Sequence, residues 1–158
     1  MRFTYHTDYS LRVLMYLGAR LGELCKTRDI AASFGISEAH LVKVVHHLGA
    51  LGVIETVRGR RGGITLAREP ADIGIGEVVR STEAERPIVE CFDAETNTCP
   101  LPPACVLQRA LSEALDAFYA TLDGYTLADL VEPRASLRQL LNLHTPQPTA
   151  AARDASSD

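Results

Sequence analysis

The sequence predicts a mainly α chain with one small β-wing: a winged helix-turn-helix unit, a long helix suited to pairing with a second copy, and a cysteine-rich loop between them. Three stretches carry that expectation. Residues 26–54, KTRDIAASFGISEAHLVKVVHHLGALGVI, read as two helices parted by a short glycine turn. GVIETVRGRRGGITLAREP follows directly, with two β-branched runs joined by a turn rich in glycine and arginine. ACVLQRALSEALDAFYATL, from residue 104 to about residue 122, has the longest helical periodicity of the chain.

From Thr7 to about Leu21, Leu11, Leu14, Leu17, Gly18 and Leu21 recur at helical spacing, with Thr7 as the expected N-cap and Asp8 in the first turn. Locally, Asp8 is a carboxylate well placed near a helix N-terminus. In the helix pair, Thr27 or Asp29 is expected to cap the first helix, Gly35 to end it, and Ser37 to cap the second, which runs to about Leu51. Leu41, Val45 and Leu48 fall on its buried face. His40, Lys43 and His47 fall opposite at i, i+3 and i+7, and with Ser37 they are the expected major-groove residues. An ordinary solvated helix face would look the same. The adjacent His46 and His47 do not make a metal pair, because neighbouring helical residues point in different directions.

Val53–Val57 and Ile64–Leu66 are expected as the two strands of the wing. Arg58, Arg60 and Arg61 at its glycine-rich tip can enter a narrow minor groove or straddle phosphates. Pro70–Gly76 reads as a linker, followed by a short helix from Ile75 to about Thr82. The helix after the cysteine loop carries Leu107, Leu111, Leu115, Phe118 and Leu122 over roughly 28 Å. Intramolecular packing on the first helix and pairing with a symmetry mate are both open to it. TLADLV and ASLRQLLNL predict two more short helices, split by Pro133, and the tail from Thr145 has no periodic apolar residues and is expected to be disordered. The expected organisation is therefore 1–70 for the winged helix-turn-helix, 71–103 for the linker helix and ligand loop, 104–144 for the long and terminal helices, and 145–158 for the tail.

Composition agrees with such a division. The chain has 158 residues, 46% of them hydrophobic and 23% charged, which suits one domain or two small ones sharing a core. Residues 1–68 hold ten Lys/Arg against five Asp/Glu and residues 69–158 hold six against fifteen, so the net charge of -4 hides a basic half and an acidic half. That asymmetry fits a DNA-binding unit attached to a sensing or assembly region. No apolar run approaches the length that crosses a bilayer, and the expected location is the cytoplasm. No phosphate-binding glycine loop, nucleophile elbow or paired-histidine hydrolase motif is present, so an enzyme is not expected.

Three of the four cysteines lie in CFDAETNTCPLPPAC, at Cys91, Cys99 and Cys105, with Pro100, Pro102 and Pro103 stiffening the second interval. A disulfide framework needs an oxidising compartment, yet MRFTYHTDYSLRVLMYL lacks the cleavage site of a signal peptide. Structural zinc wants four nitrogen or sulfur ligands, and no histidine lies between His47 and His144. An iron-sulfur cluster accepts a non-cysteine ligand on one iron, which makes that iron labile and suits a sensor. Zinc and three reduced thiols without a cofactor remain open alternatives. Cys25 is expected to be a small packed residue.

With these residues in place, the chain resembles the NsrR and IscR group of winged-helix iron-sulfur transcription regulators over about residues 1–143. The resemblance rests on Tyr5-His6-Thr7-Asp8-Tyr9, the RGRRGGITLA wing, the three spaced cysteines and YTLADLV after the long helix. Gln108 stands where IscR-like chains place a histidine ligand, which together with YTLADLV favours the NsrR branch, whose members repress nitric-oxide-detoxification genes. The resemblance implies a homodimer that reads an A·T-rich inverted repeat of double-stranded DNA. It also implies a cluster, [4Fe-4S] first and [2Fe-2S] as the alternative, held by Cys91, Cys99, Cys105 and, from the other subunit, Asp8. Glu90, Asp93 and Glu95 compete as oxygen ligands. Nitric oxide is then the expected signal. An IscR-like sensor of iron or redox state is the rival regulator, and an iron-sulfur electron carrier the rival from another class.

Overall fold

A computed structural model describes residues 2–83, 87–101 and 104–142. The predicted tail and Pro102 and Pro103 lie outside them. Among the described residues seven α-helices and one two-stranded sheet follow in the order α1 (Tyr5–Ala19), α2 (Thr27–Phe34), α3 (Glu38–Ala50), β1 (Ile54–Val57), β2 (Gly63–Leu66), α4 (Ile75–Glu83), α5 (Val106–Asp123), α6 (Leu127–Leu130) and α7 (Arg134–Asn142). The chain is thus mainly helical with a two-stranded wing, as its periodicities predict.

Helix α1 is the centre of the packing. Val13, Leu14 and Ala19 are fully buried, and the helix touches α3, α4, α6, α7 and β2. So enclosed a helix must also settle its polar side chains. Ser10 Oγ donates to the His6 carbonyl at 2.8 Å, and Thr7 Oγ1 donates to Glu83. The N-cap is Thr4, whose Oγ1 accepts from Thr7 N–H at 3.2 Å. Thr7 itself lies in the first turn, buried, with its hydroxyl given to Glu83.

The helix pair forms for the reasons its sequence offers. Gly35 closes α2 in the left-handed region at φ 63°, where a side chain would be strained, and Ser37 takes the N-cap position of α3 in extended conformation, without a side-chain cap bond. Neither Thr27 nor Asp29 caps α2; Lys26 occupies the N-cap position, without a side-chain cap bond. On α3, Leu41, Val44 and Leu48 are buried and Val45 packs partly against them. β1 and β2 pair antiparallel from Ile54 with Leu66 to Val57 with Gly63. Cys25 adds a further rung, giving its N–H to the Ile64 carbonyl at 2.9 Å and accepting from Ile64 N–H at 2.8 Å.

Helix α4 is stitched to the turn before α6 through Ile75 N–H to the Tyr125 carbonyl and Leu127 N–H to the Ile73 carbonyl, both 2.9 Å. Helix α5 lies on α4 rather than on α1, apart from Phe3 ahead of α1, whose ring centroid is 6.0 Å from that of Phe118. Phe118, Tyr119 and Leu122 of α5 pack partly against the core, and polar bonds join the two helices at their surface. Arg80 of α4 clamps Asp123 with two bonds of 2.5 and 2.6 Å and lies over the Tyr119 ring. Those bonds hold the Asp123 carboxyl below the usual range. No α5 residue is fully buried, and Val106 and Leu107 are 67% and 66% exposed.

At Gly63 the Cys25 strand passes so close that an added Cβ would lie 2.7 Å from the Cys25 carbonyl oxygen. Backbone on both sides must shift to admit it. Gly63→Ala should lower stability by about 1–3 kcal/mol in thermal melts, whereas Gly49→Ala, in a helix with open space around it, should be neutral or stabilising. A wild-type midpoint for Gly63→Ala would contradict the close approach.

Candidate functional site

The helix pair and the wing each expose residues expected at DNA. Ser37, His40 and Lys43 stand exposed on α3, and Arg58, Arg60 and Arg61 are exposed at the wing tip. Among the described residues these three arginines make no side-chain hydrogen bond or ion pair, so their guanidiniums are available to phosphate or base edges. His47 is placed differently. It is half-buried, its ring meets that of His6 edge-on at 5.0 Å, and its Nε2 lies 3.3 Å from Ser81 Oγ. His47 does share a helical face with His40 and Lys43, but the last turns of α3 run beneath α1 and α4, so the outward face ends before it. Farther up the same contact, His40 and Tyr9 have ring centroids 6.3 Å apart.

The cysteine loop borders an open cavity of about 1780 Å³ between the start of α1, the loop and α5. Cys91 and Cys105 both line it. Cys99 does not, although all three thiols are half-exposed and unpaired by disulfides. Cys105 is the N-cap of α5, and its sulfur accepts the Gln108 N–H at 3.4 Å. A thiolate there sits at the positive end of the helix dipole. The Gln108 side chain then donates to the Cys91 carbonyl at 3.2 Å, clipping one end of the loop to α5.

The loop braces itself with its own acids. Glu90 accepts from Thr98 N–H and, at 2.7 Å, from Thr98 Oγ1, while Asp93 accepts from Glu95 N–H at 2.9 Å and Thr96 Oγ1 at 2.8 Å. These bonds hold both carboxyls below their usual range. Asn97 Oδ1 accepts the Cys99 N–H at 3.0 Å. Asp8 lies outside the cavity on α1, paired with Arg12 at 2.9 Å. Among the described residues no three His, Cys, Asp or Glu side chains converge on one metal-ion position. A single zinc ion needs such convergence, whereas a cluster spreads its ligands over separate irons. The donor set, soft sulfur on an open cavity, fits the second better than the first.

Sequence reasoning missed one junction beside the cavity. Glu83, at the end of α4, accepts from Thr4 N–H at 2.8 Å, from Thr4 Oγ1 at 3.0 Å and from Thr7 Oγ1. It ties the start of α1 to the segment that leads into the loop. No local pattern marks a contact between residues so far apart in the chain.

A helix pair with an arginine-tipped wing defines a DNA-binding transcriptional regulator of the winged helix-turn-helix class, not an enzyme. Residues 3–133 match the model of the Rrf2 family, described as iron-dependent transcriptional regulators, and the chain belongs to that family. The chain is 60% identical over 143 residues to the HTH-type transcriptional regulator NsrR of Geobacillus kaustophilus, covering 89% of this chain and 97% of that one. It is 53% identical over 144 residues to the NsrR of Bacillus subtilis, covering 90% and 99%. Among solved structures, that of T. potens IscR superposes with a TM-score of 0.68 at 25% identity, covering 84% of this chain and 88% of that one. Among the described residues no helix is long and apolar enough to cross a membrane.

Cys25 stands apart from the other thiols. Burial pushes its pKa up to about 11, leaving roughly one molecule in a thousand as thiolate at pH 8. An alkylating reagent applied to metal-free protein at that pH should label Cys91, Cys99 and Cys105 and spare Cys25, as read by peptide mass spectrometry. Equal labelling of Cys25 would mean that its rung to Ile64 opens readily in the native protein.

Proposed function

We propose that the chain is the subunit of a homodimeric cytoplasmic repressor that holds an iron-sulfur cluster and releases an A·T-rich inverted repeat when nitric oxide attacks that cluster. The observation that carries this reading is the split of the donor set: Cys91 and Cys105 line the cavity of one chain, while Asp8 stands on α1 outside it. A carboxylate so placed is available to a second subunit. Cys91, Cys99 and Cys105 would hold the cluster, [4Fe-4S] in the first reading and [2Fe-2S] in the second, with Asp8 of the partner subunit as the oxygen ligand. Glu90 and Asp93 are the weaker competitors, because loop hydrogen bonds already occupy them, and Glu95, whose carboxylate takes part in none of those bonds, is the competing oxygen ligand within the loop.

The cluster supplies irons whose ligands nitric oxide can displace. The chain itself supplies the consequence. Asp8 rides on α1, and α1 meets α3 through His6 with His47 and Tyr9 with His40. Freed from its tether, α1 lets the two recognition helices leave a spacing that must stay near one turn of DNA. The exposed apolar residues of α5, Val106 and Leu107 among them, fit a dimer contact. The organisation 1–70, 71–103 and 104–144 follows: reader, ligand loop and assembly helices. Nitric oxide as the signal is supported by the relatives named NsrR at 60% and 53% identity and by Gln108 in the position where IscR-like chains carry a histidine.

The test is operator binding by anaerobically purified protein, with iron and sulfide counted, before and after stoichiometric nitric oxide. Specific binding by the loaded protein, abolished by nitric oxide, is the expected result. Affinity that ignores nitric oxide and follows iron supply or oxidant would install the IscR-like reading instead. Cys99→Ala should stay folded and lose repression. Tight, nitric-oxide-sensitive binding by that variant would sink the ligand assignment.

A further inference from the structure

The wing tip has little of its own to hold it in shape. Beyond the last ladder pair, Val57 with Gly63, residues 58–62 share one backbone hydrogen bond, from Gly62 N–H to the Gly59 carbonyl at 2.9 Å. The rest comes from outside the hairpin. The Lys26 ammonium donates to the Arg60 carbonyl at 3.4 Å and to the Gly62 carbonyl. Its backbone is anchored as well, because the preceding residue, Cys25, forms the two-bond rung with Ile64. One residue is therefore fixed at its root to the wing sheet and at its end to the wing turn.

The chemistry of that contact suits an anion-binding tip. Carbonyl oxygens crowd a tight turn and carry partial negative charge, which opposes an approaching phosphate. An ammonium has three donors and no acceptor, so Lys26 can satisfy both carbonyls and offset their field at once. Lys26 is half-buried and makes no ion pair among the described residues. Its charge is spent on the turn, while Arg58, Arg60 and Arg61 remain unpaired and exposed.

We propose that Lys26 is a positioning residue for DNA recognition, which fixes the wing turn so that Arg60 and Arg61 are presented together, without touching the duplex itself. The proposal rests on the reading that the wing arginines contact DNA. It differs from the alternative use of a lysine beside a helix-turn-helix, a direct phosphate contact, in one measurable way. A residue that acts through the arginines has nothing left to do once they are gone.

The experiment uses the cluster-loaded protein and a duplex carrying the repeat that the wild-type protein selects from a random-sequence library. Affinity is measured for Lys26→Met, for Arg60→Ala/Arg61→Ala, and for the three substitutions combined. Lys26→Met should weaken binding about tenfold, and the combined variant should bind no worse than the double-arginine variant. Amide hydrogen exchange at residues 58–62 of DNA-free Lys26→Met should speed up, with α3 unchanged, and Lys26→Arg, which keeps a charged donor, should restore both affinity and protection. Losses that add would overturn the proposal and make Lys26 a direct contact. Wild-type affinity in the double-arginine variant would instead remove the wing reading, and the proposal with it. Should Lys26→Met fail to fold, Lys26→Gln carries the same cycle, with loss of affinity expected and additive loss again contradicting the proposal.

Discussion

One carboxylate closes the structure. Glu83 accepts from a backbone N–H and two hydroxyls of the first turn of α1, so the end of α4 and the start of α1 move as one piece. A helix N-terminus has N–H groups without intrahelical partners, and an anion placed there is favoured by the helix dipole as well as by the hydrogen bonds. Because α1 is enclosed by α3, α4, α6, α7 and β2, whatever fixes its first turn fixes the frame on which the DNA-binding face stands.

That junction also sets what a signal at the cysteine loop must do. The cysteine loop follows α4 in the chain, and α1 meets α3 through two ring contacts on its first turns, His6 with His47 and Tyr9 with His40. Contiguity supplies a route; it does not by itself supply coupling. Coupling requires that the ligand set bind one arrangement of α1 better than another. A tether on Asp8 meets that requirement, since Asp8 sits one residue after Thr7, whose hydroxyl Glu83 already holds. Cys25 shows the contrasting case: it is a thiol as well, but burial keeps it protonated and its backbone serves the wing.

What the sequence discloses and what it hides divide along one physical line. Gly35, Ser37 and the β-branched runs around RGRRGG announce themselves because caps, turns and strand periodicity are local, and the helix pair and wing follow from them. The long helix is equally legible, yet its bed is α4 and not α1, a contact across residues as far apart in sequence as Arg80 and Asp123 that no local pattern marks. Thr4 displaces Thr7 as cap for a like reason: Thr7 is drawn inward by Glu83, 76 residues away. His47 shares a helical wheel face with His40 and Lys43, but a wheel knows nothing of the helices that cross it. Lys26 and Glu83 carry no motif at all.

The cysteine loop illustrates how a segment full of possible ligands can reserve a few of them. Glu90, Asp93 and Asn97 are engaged with Thr98, Glu95, Thr96 and Cys99 of the same segment, which shapes the loop and withdraws those oxygens from other work. The depressed pKa of Glu90 and Asp93 comes from these same bonds. Breaking them to bind a metal would forfeit charge-assisted hydrogen bonds that hold the loop in place. Sulfur is under no such obligation: Cys105 accepts one long N–H contact at the positive end of α5, and Cys91 lends its backbone carbonyl, not its thiol, to Gln108. The loop thus spends the oxygens of Glu90, Asp93 and Asn97 on its own shape and leaves its thiols uncommitted apart from that one contact, so an oxygen ligand for the same group falls to Glu95, whose carboxylate none of these bonds uses, or to another element, where Asp8 on α1 is held by Arg12 through two half-exposed bonds that cost little to exchange.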